Sequence, residues 1–290
     1  MDARSIVLSI AFAAMWASGF TSAKFIVADA PPLTALALRF AISGILAVAI
    51  AGAMGQGWRL DRRQWRLTIL FGLCQNALYL GLNFMAMRTI DAGLASIMAS
   101  TMPIWVALFG WAALGERLRP ATVLGLLAGF TGVTIIMGSR ISGGVDPGGL
   151  GLSVLAVMAL TVATLSLRGA SSGGNVLMVV GLQMLVGAAA LAIAGLVFEP
   201  WEVNWSTSLV VAFVYTTLVP GLAATFVWFV LVRQIGPVRA ATFHFLTPFL
   251  GAAMAAALLD EDVSALDLFG VAIIMLGILA VQLSRPRSRV

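Results

Sequence analysis

Ten apolar stretches, each about 20 residues long, run almost end to end through this chain, and they decide what it can fold into. As α-helices such stretches rise about 1.5 Å per residue, which matches a hydrocarbon core about 30 Å thick. They lie near 5–28, 33–54, 66–87, 93–114, 120–138, 149–168, 174–197, 207–231, 238–259 and 265–283. Helix-stopping residues separate them: Pro31-Pro32, Gly55-Gln56-Gly57, Arg119-Pro120, Pro147-Gly148, Glu199-Pro200 and Gly236-Pro237. No connection is long enough for a soluble domain. Only 10% of the residues are charged, against 61% hydrophobic, whereas soluble domains carry about a quarter charged. The expected fold is an all-α integral membrane bundle of ten transmembrane helices. Ala28-Asp29-Ala30 resembles a signal-peptidase site, but the run before it is longer than a signal core and Pro31 would follow the cut. It reads as the first helix.

Charge gives the orientation. With the N-terminus on one side and direction alternating, that side collects Arg4, Arg59, Arg62, Arg63, Arg66, Arg117, Arg119, Arg168, Arg233, Arg239, Arg285, Arg287 and Arg289. Lys24, Arg39, Arg88 and Arg140 fall to the other side, with most of the acids. Basic residues stay cytoplasmic, so both termini are expected inside. The net charge of +5 is spread over short loops rather than one soluble face, which argues for the lipid bilayer as partner and against nucleic acid. The preference for Arg over Lys and the high alanine content point to a GC-rich bacterial genome, and with multi-pass topology the expected location is a bacterial inner (plasma) membrane. Cys74 is the single cysteine, so no internal disulfide or cysteine metal cluster can form; it reads as a packed core thiol.

A shift of 145 residues, half the chain, aligns it with itself without a gap. Phe84 meets Phe229, Arg88 meets Arg233, Pro103 meets Pro248, Glu116 meets Glu261, Gly125 meets Gly270 and Gly132 meets Gly277. The expected halves are 1–145 and 146–290. Five spans each is an odd number, so the halves insert in opposite directions. Inverted repeats are the architecture of many secondary transporters, with a site near the midplane between them. A duplication kept for stability alone is the other reading.

The stretch from Pro103 to Gly132, with Gly115-Glu116-Arg117-Leu118 and then Gly125, Gly129 and Gly132-Val133, resembles the signature of the drug/metabolite transporter superfamily. Its second copy, Pro248 through Glu261, Gly270 and Gly277, matches more loosely, and Ala14 to Phe20 is similar to the family's first helix. The resemblance covers essentially the whole chain. It implies an EamA-type transporter of ten helices in a 5+5 inverted repeat, and within that family a likeness to YddG-type amino-acid exporters.

Several residues are candidates for function. Pro103, Pro220 and Pro248 lie inside spans, where each removes a backbone donor and bends its helix; they are either gating hinges or static bends. Gly125, Gly129, Gly132, Gly270 and Gly277 form narrow faces that suit packing of helix five against helix ten. Glu116 and Glu261 fall at helix junctions, where a carboxylate favours the next helix's dipole. Polar and aromatic residues gather on six spans: Trp16 and Gly19; Gln75, Tyr79 and Asn83; Met98, Ser100 and Trp105; Thr161 and Thr164; Tyr215 and Trp228; Phe243 and His244. Polar groups avoid lipid, so these are expected to line a cavity for small amphipathic molecules, although interhelical hydrogen bonds would explain any one of them. His244, the only histidine, is either a core residue or a proton carrier.

The functional expectation is a secondary transporter or exporter of small metabolites, amino acids foremost, working by alternating access as a monomer without metal or cofactor. An intramembrane enzyme needs paired carboxylates, a histidine pair or a nucleophile with its base, and acids confined to helix ends do not supply them. A channel needs a charged ring or a carbonyl filter. A multidrug or other metabolite carrier remains open within transport.

Overall fold

The computed structural model describes residues 3–115, 118–141, 145–167, 174–259 and 264–283, and Glu116 and Glu261 lie outside them. All described secondary structure is helical. The ten helices are α1 (Ala3–Asp29), α2 (Pro32–Ala53), α3 (Arg62–Ala86), α4 (Ala92–Ser100 and Met102–Leu114), α5 (Pro120–Ile141), α6 (Pro147–Ser166), α7 (Val176–Phe198), α8 (Thr207–Ile235), α9 (Pro237–Ala241, Thr242–Leu246 and Thr247–Leu259) and α10 (Ala265–Leu283). Eight are long and apolar enough to cross a membrane; in α5 and α10 the apolar stretch is shorter.

Polar residues fix the helix ends. α3 begins at Arg62 rather than 66, because Asp61 accepts from the Gln64 amide at 2.8 Å while the Gln64 side chain accepts from the Asp61 amide at 2.9 Å. The Glu199 carboxylate caps α2, accepting from the amides of Leu33 and Thr34, each at 2.8 Å. At the far end of α3, the Lys24 ammonium donates to the carbonyls of Met87 and Ile90, both at 2.9 Å. The bundle's outer face is apolar, with Leu124, Leu196 and Phe198 exposed among many others. Trp58 at one end and Trp201 and Trp205 at the other are exposed too, as in the aromatic belts of membrane interfaces.

Close glycine contacts reveal how the halves meet. A Cβ on Gly125 would lie 2.6 Å from the Gly277 carbonyl oxygen, and one on Gly132 would lie 2.5 Å from that of Gly270. Numbers rise along α5 as they fall along α10, so the two are antiparallel. The 145-residue shift exchanges these two contacts. Gly44 faces Gly181 and Gly195 faces Thr34, so α2 and α7 are antiparallel as well. Each helix of these two pairs thus packs along its own counterpart in the other half, as a twofold axis in the membrane plane requires. The other contacts follow the same exchange: α1 packs on α8 and α9, and α6 on α3 and α4.

Four helices depart from α geometry, again in matched pairs. α3 widens to a π-helix over Gly72–Leu80 and α8 over Thr217–Ala223, which begin 145 residues apart. α4 is interrupted at Thr101, and α9 tightens to a 3₁₀-helix over Thr242–Leu246. Proline explains the last. Pro248 has no N–H to offer the His244 carbonyl, so the Thr247 amide, one residue earlier, donates to it instead.

Candidate functional site

The π-segment of α3 and the 3₁₀ piece of α9 each carry one ring of a buried aromatic cluster, Tyr79 and His244. Four rings surround one another there. The His244 ring lies 5.2 Å from Phe12, 5.4 Å from Trp16 and 5.0 Å from Trp228, centroid to centroid. Phe12 stacks on Trp228 at 5.0 Å. Trp16 stacks on Tyr79 at 5.8 Å with an interplanar angle of 6°. Trp16, Tyr79, Trp228 and His244 come from α1, α3, α8 and α9, two helices from each half.

Beyond the Trp16–Tyr79 stack, a cleft of about 30 Å³ runs toward the end where α1 and α3 finish. Gly19, Arg39, Asn83, Pro220 and Thr225 share it with those two rings. Gly19 lets α1 approach the π-segment of α8, since a Cβ there would sit 3.2 Å from Pro220 Cβ. Buried polar atoms without hydrogen-bond partners border the rings and the cleft: Asn83 Oδ1 and Nδ2, Trp228 Nε1 and Arg39 Nε. An unsatisfied buried polar group costs about 1–3 kcal/mol, so such a concentration marks a surface built to be wetted or filled.

The expected lining residues therefore divide. Trp16, Gly19, Tyr79, Asn83, Trp228 and His244 are brought together, Gln75 is buried one turn before Tyr79 in the π-segment of α3, and Phe243 is buried beside His244. Met98 is buried on α4, but the hydroxyls of Ser100 and Thr161 donate back to the Ile97 and Val157 carbonyls of their own helices. Thr164 contacts Met102 sulfur at 3.8 Å. Trp105 is half-buried, its ring 6.5 Å from that of Phe109. Tyr215 is partly exposed in a side groove between α1, α8 and α9, where its hydroxyl donates to Ser18 Oγ at 2.8 Å.

Of the three prolines, Pro220 lies inside the π-segment of α8 and is buried, Pro103 is buried just after the interruption of α4, and Pro248 opens the last piece of α9. Gly125, Gly132, Gly270 and Gly277 sit at the α5–α10 contact, and Gly129 faces the Phe245 ring.

Arg39 departs most from the sequence reading, which placed it with the charges outside the membrane. It points into the bundle and is 4% exposed. Its Cζ lies 4.9 Å from the centroid of Phe40. A Cβ on Gly221 would lie 3.3 Å from Arg39 Nε and Nη2, so a glycine in the π-segment leaves room for the guanidinium. The signal available in the sequence was position alone, a cation seven residues inside an apolar span.

Comparison with known proteins fits this frame. The model of the EamA-like transporter family matches residues 3–138 and again 147–283. The Uncharacterized transporter YvbV of Bacillus subtilis (strain 168) is 25% identical over 280 residues, 96% of this chain and 92% of its own. The Aromatic amino acid exporter YddG of Ancylobacter novellus is 32% identical over 195 residues, 63% of this chain and 64% of its own. A crystal structure of a protein 23% identical in sequence superposes with a TM-score of 0.79, covering 98% of both chains, and so shares the fold.

Proposed function

This chain belongs to the EamA-like transporter family and is a multi-pass membrane transporter, and on that premise we propose that it exports small metabolites, amino acids foremost, by alternating access at the ring-lined centre between its halves. The observation that carries the reading is the Trp16, Tyr79, Trp228 and His244 cluster, contributed by both halves and bordered by unpartnered polar atoms. Rings with a few polar tips suit a small amphipathic molecule. The name of the Ancylobacter relative puts aromatic amino acids first among the substrates to try.

In this reading the halves, 1–145 and 146–290, rock against each other while α5 and α10 stay paired at their glycine face. The breaks at Pro103, Pro220 and Pro248 absorb the bending. The chain works as a monomer in a bacterial inner membrane with both termini cytoplasmic. No covalent step is involved.

Counterflow in proteoliposomes tests it. Vesicles loaded with unlabelled phenylalanine, tryptophan or tyrosine should accumulate the labelled amino acid transiently and saturably. Trp16→Ala should abolish the signal at equal protein content. Accumulation of a sugar, nucleotide or cationic drug with none of any amino acid would overturn the substrate assignment, and a non-saturable flux would overturn the carrier.

A further inference from the structure

Resting on the transporter reading, we infer that Arg39 is the substrate's anchor: the site takes a small monocarboxylate with an aromatic or apolar body, held through its carboxylate by the buried guanidinium.

The first ground is energetic. A charged side chain inside a membrane protein is costly and faces a partner, a cavity or water. Among the described residues no carboxylate pairs with Arg39, and its Nε has no hydrogen-bond partner. The Phe40 ring offers only a weak contact on one face of the guanidinium. Guanidinium presents a planar fork of donors that matches a carboxylate with two parallel hydrogen bonds.

The second ground is the internal symmetry. The 145-residue shift carries Arg39 onto Met184, which is equally buried. It carries Gly221 onto Asn76, whose amide donates to the Gln183 side-chain oxygen at 2.5 Å and to its carbonyl at 3.1 Å. In one half, then, a polar side chain fills the space beside the π-segment and an uncharged methionine follows. In the other half the side chain is deleted to glycine and the space goes to a cation. The fold is served by Met at this place, so helix packing does not call for an arginine.

The third ground is the setting. Trp16 and Tyr79 present ring surface beside Arg39 in the same cleft, and Asn83 and Thr225 bring neutral polar groups. No acidic side chain lines the cleft, so it contains nothing that demands a substrate ammonium. At about 30 Å³ it holds a water or two, and a metabolite seats only as α1, α3 and α8 separate.

The test pairs Arg39→Met, which copies the counterpart, with Arg39→Lys, using purified full-length protein. Binding is read by ligand-induced thermal shift and by competition against labelled phenylalanine. The probes are phenylalanine, 3-phenylpropionate (carboxylate without amine), phenylalaninamide and phenethylamine (amine without carboxylate). Phenylalanine and 3-phenylpropionate should both stabilise the wild-type protein, and the two amines should not. Arg39→Met should weaken both carboxylates on the order of 100-fold while its ligand-free melting temperature equals or exceeds that of wild type. Arg39→Lys, keeping charge but not the fork, should fall between. A merely structural arginine would do the reverse, with a lower melting temperature for Arg39→Met and unchanged ligand preference. Binding of the amines as tight as the carboxylates, or no shift with either carboxylate, would overturn the inference. If 3-phenylpropionate binds through Arg39 but no amino acid undergoes counterflow, the anchor stands and the amino-acid assignment falls.

Discussion

Gly125 and Gly138 stand on the same helix and should respond to alanine in opposite ways. At Gly125 the new methyl would meet the Gly277 carbonyl oxygen at 2.6 Å and Val281 Cγ2 at 2.7 Å, whereas nothing lies within 4 Å of a Cβ on Gly138. Carbon atoms settle about 3.5 Å from their neighbours, so α5 and α10 must part by roughly 0.8 Å at this crossing. Because Gly132 touches Gly270 and Gly277 touches the Gly129 backbone along the same seam, that parting loosens contacts over two turns. Overpacking of this kind costs about 1–3 kcal/mol. Gly138→Ala meets no obstacle and gains roughly 0.5–1 kcal/mol from reduced backbone freedom. The two variants should therefore differ by about 1.5–4 kcal/mol in equilibrium unfolding in mixed micelles, with wild type between them. Indistinguishable unfolding curves for Gly125→Ala and wild type would refute the argument that backbone proximity of these two helices holds the halves together.

Glu199→Ala should cost about 1 kcal/mol in the same assay, since it strips the amides of Leu33 and Thr34 of their acceptor; no loss would mean that water caps α2 equally well. The Asp146 carboxyl is held below its ordinary range, first by the Gly149 amide and then by the Thr89 hydroxyl. Its contribution is full above the ordinary carboxylate range and disappears as pH falls through that range to the lower folded value. Exchange protection at the start of α6, corrected for the intrinsic rate, should thus fall in acid, and Asp146→Asn should remove that pH dependence; unchanged protection would contradict the cap. Pro248→Ala restores an N–H for the His244 carbonyl and should let α9 run as continuous α-helix past the ring cluster, slowing turnover more than it weakens binding. Equal transport at equal protein content would show that the break is static.

The helices, their glycine seam and the inverted halves were legible because each leaves a period or a count in the chain. A 20-residue apolar run, a 145-residue repeat and an odd number of spans per half need no knowledge of neighbours. The centre was only partly legible. Gln75, Tyr79 and Asn83 share a stripe that the structure buries, but the π-segments that shape it carry no pattern: one contains Pro220, the other has Gln75 at the matching place. Tyr215 and Trp228 look alike on one span, yet the structure exposes the first and buries the second. Ser100 and Thr161 donate to carbonyls of their own helices, bonds that leave no mark in the sequence pattern. Arg39 was misplaced because hydropathy averaged over a span tolerates one charge and does not say whether that charge reaches out or in.

In the proposed mechanism two antiparallel halves open one shared site first to one side of the membrane and then to the other. In a background with Cys74→Ala, spin labels on Arg88→Cys with Trp205→Cys report one end of the bundle, and labels on Arg59→Cys with Arg233→Cys report the opposite end. Double electron–electron resonance in lipid nanodiscs, with and without saturating phenylalanine, should show one distance lengthening while the other shortens. Two distances that stay fixed, or that change in the same direction, would contradict alternating access.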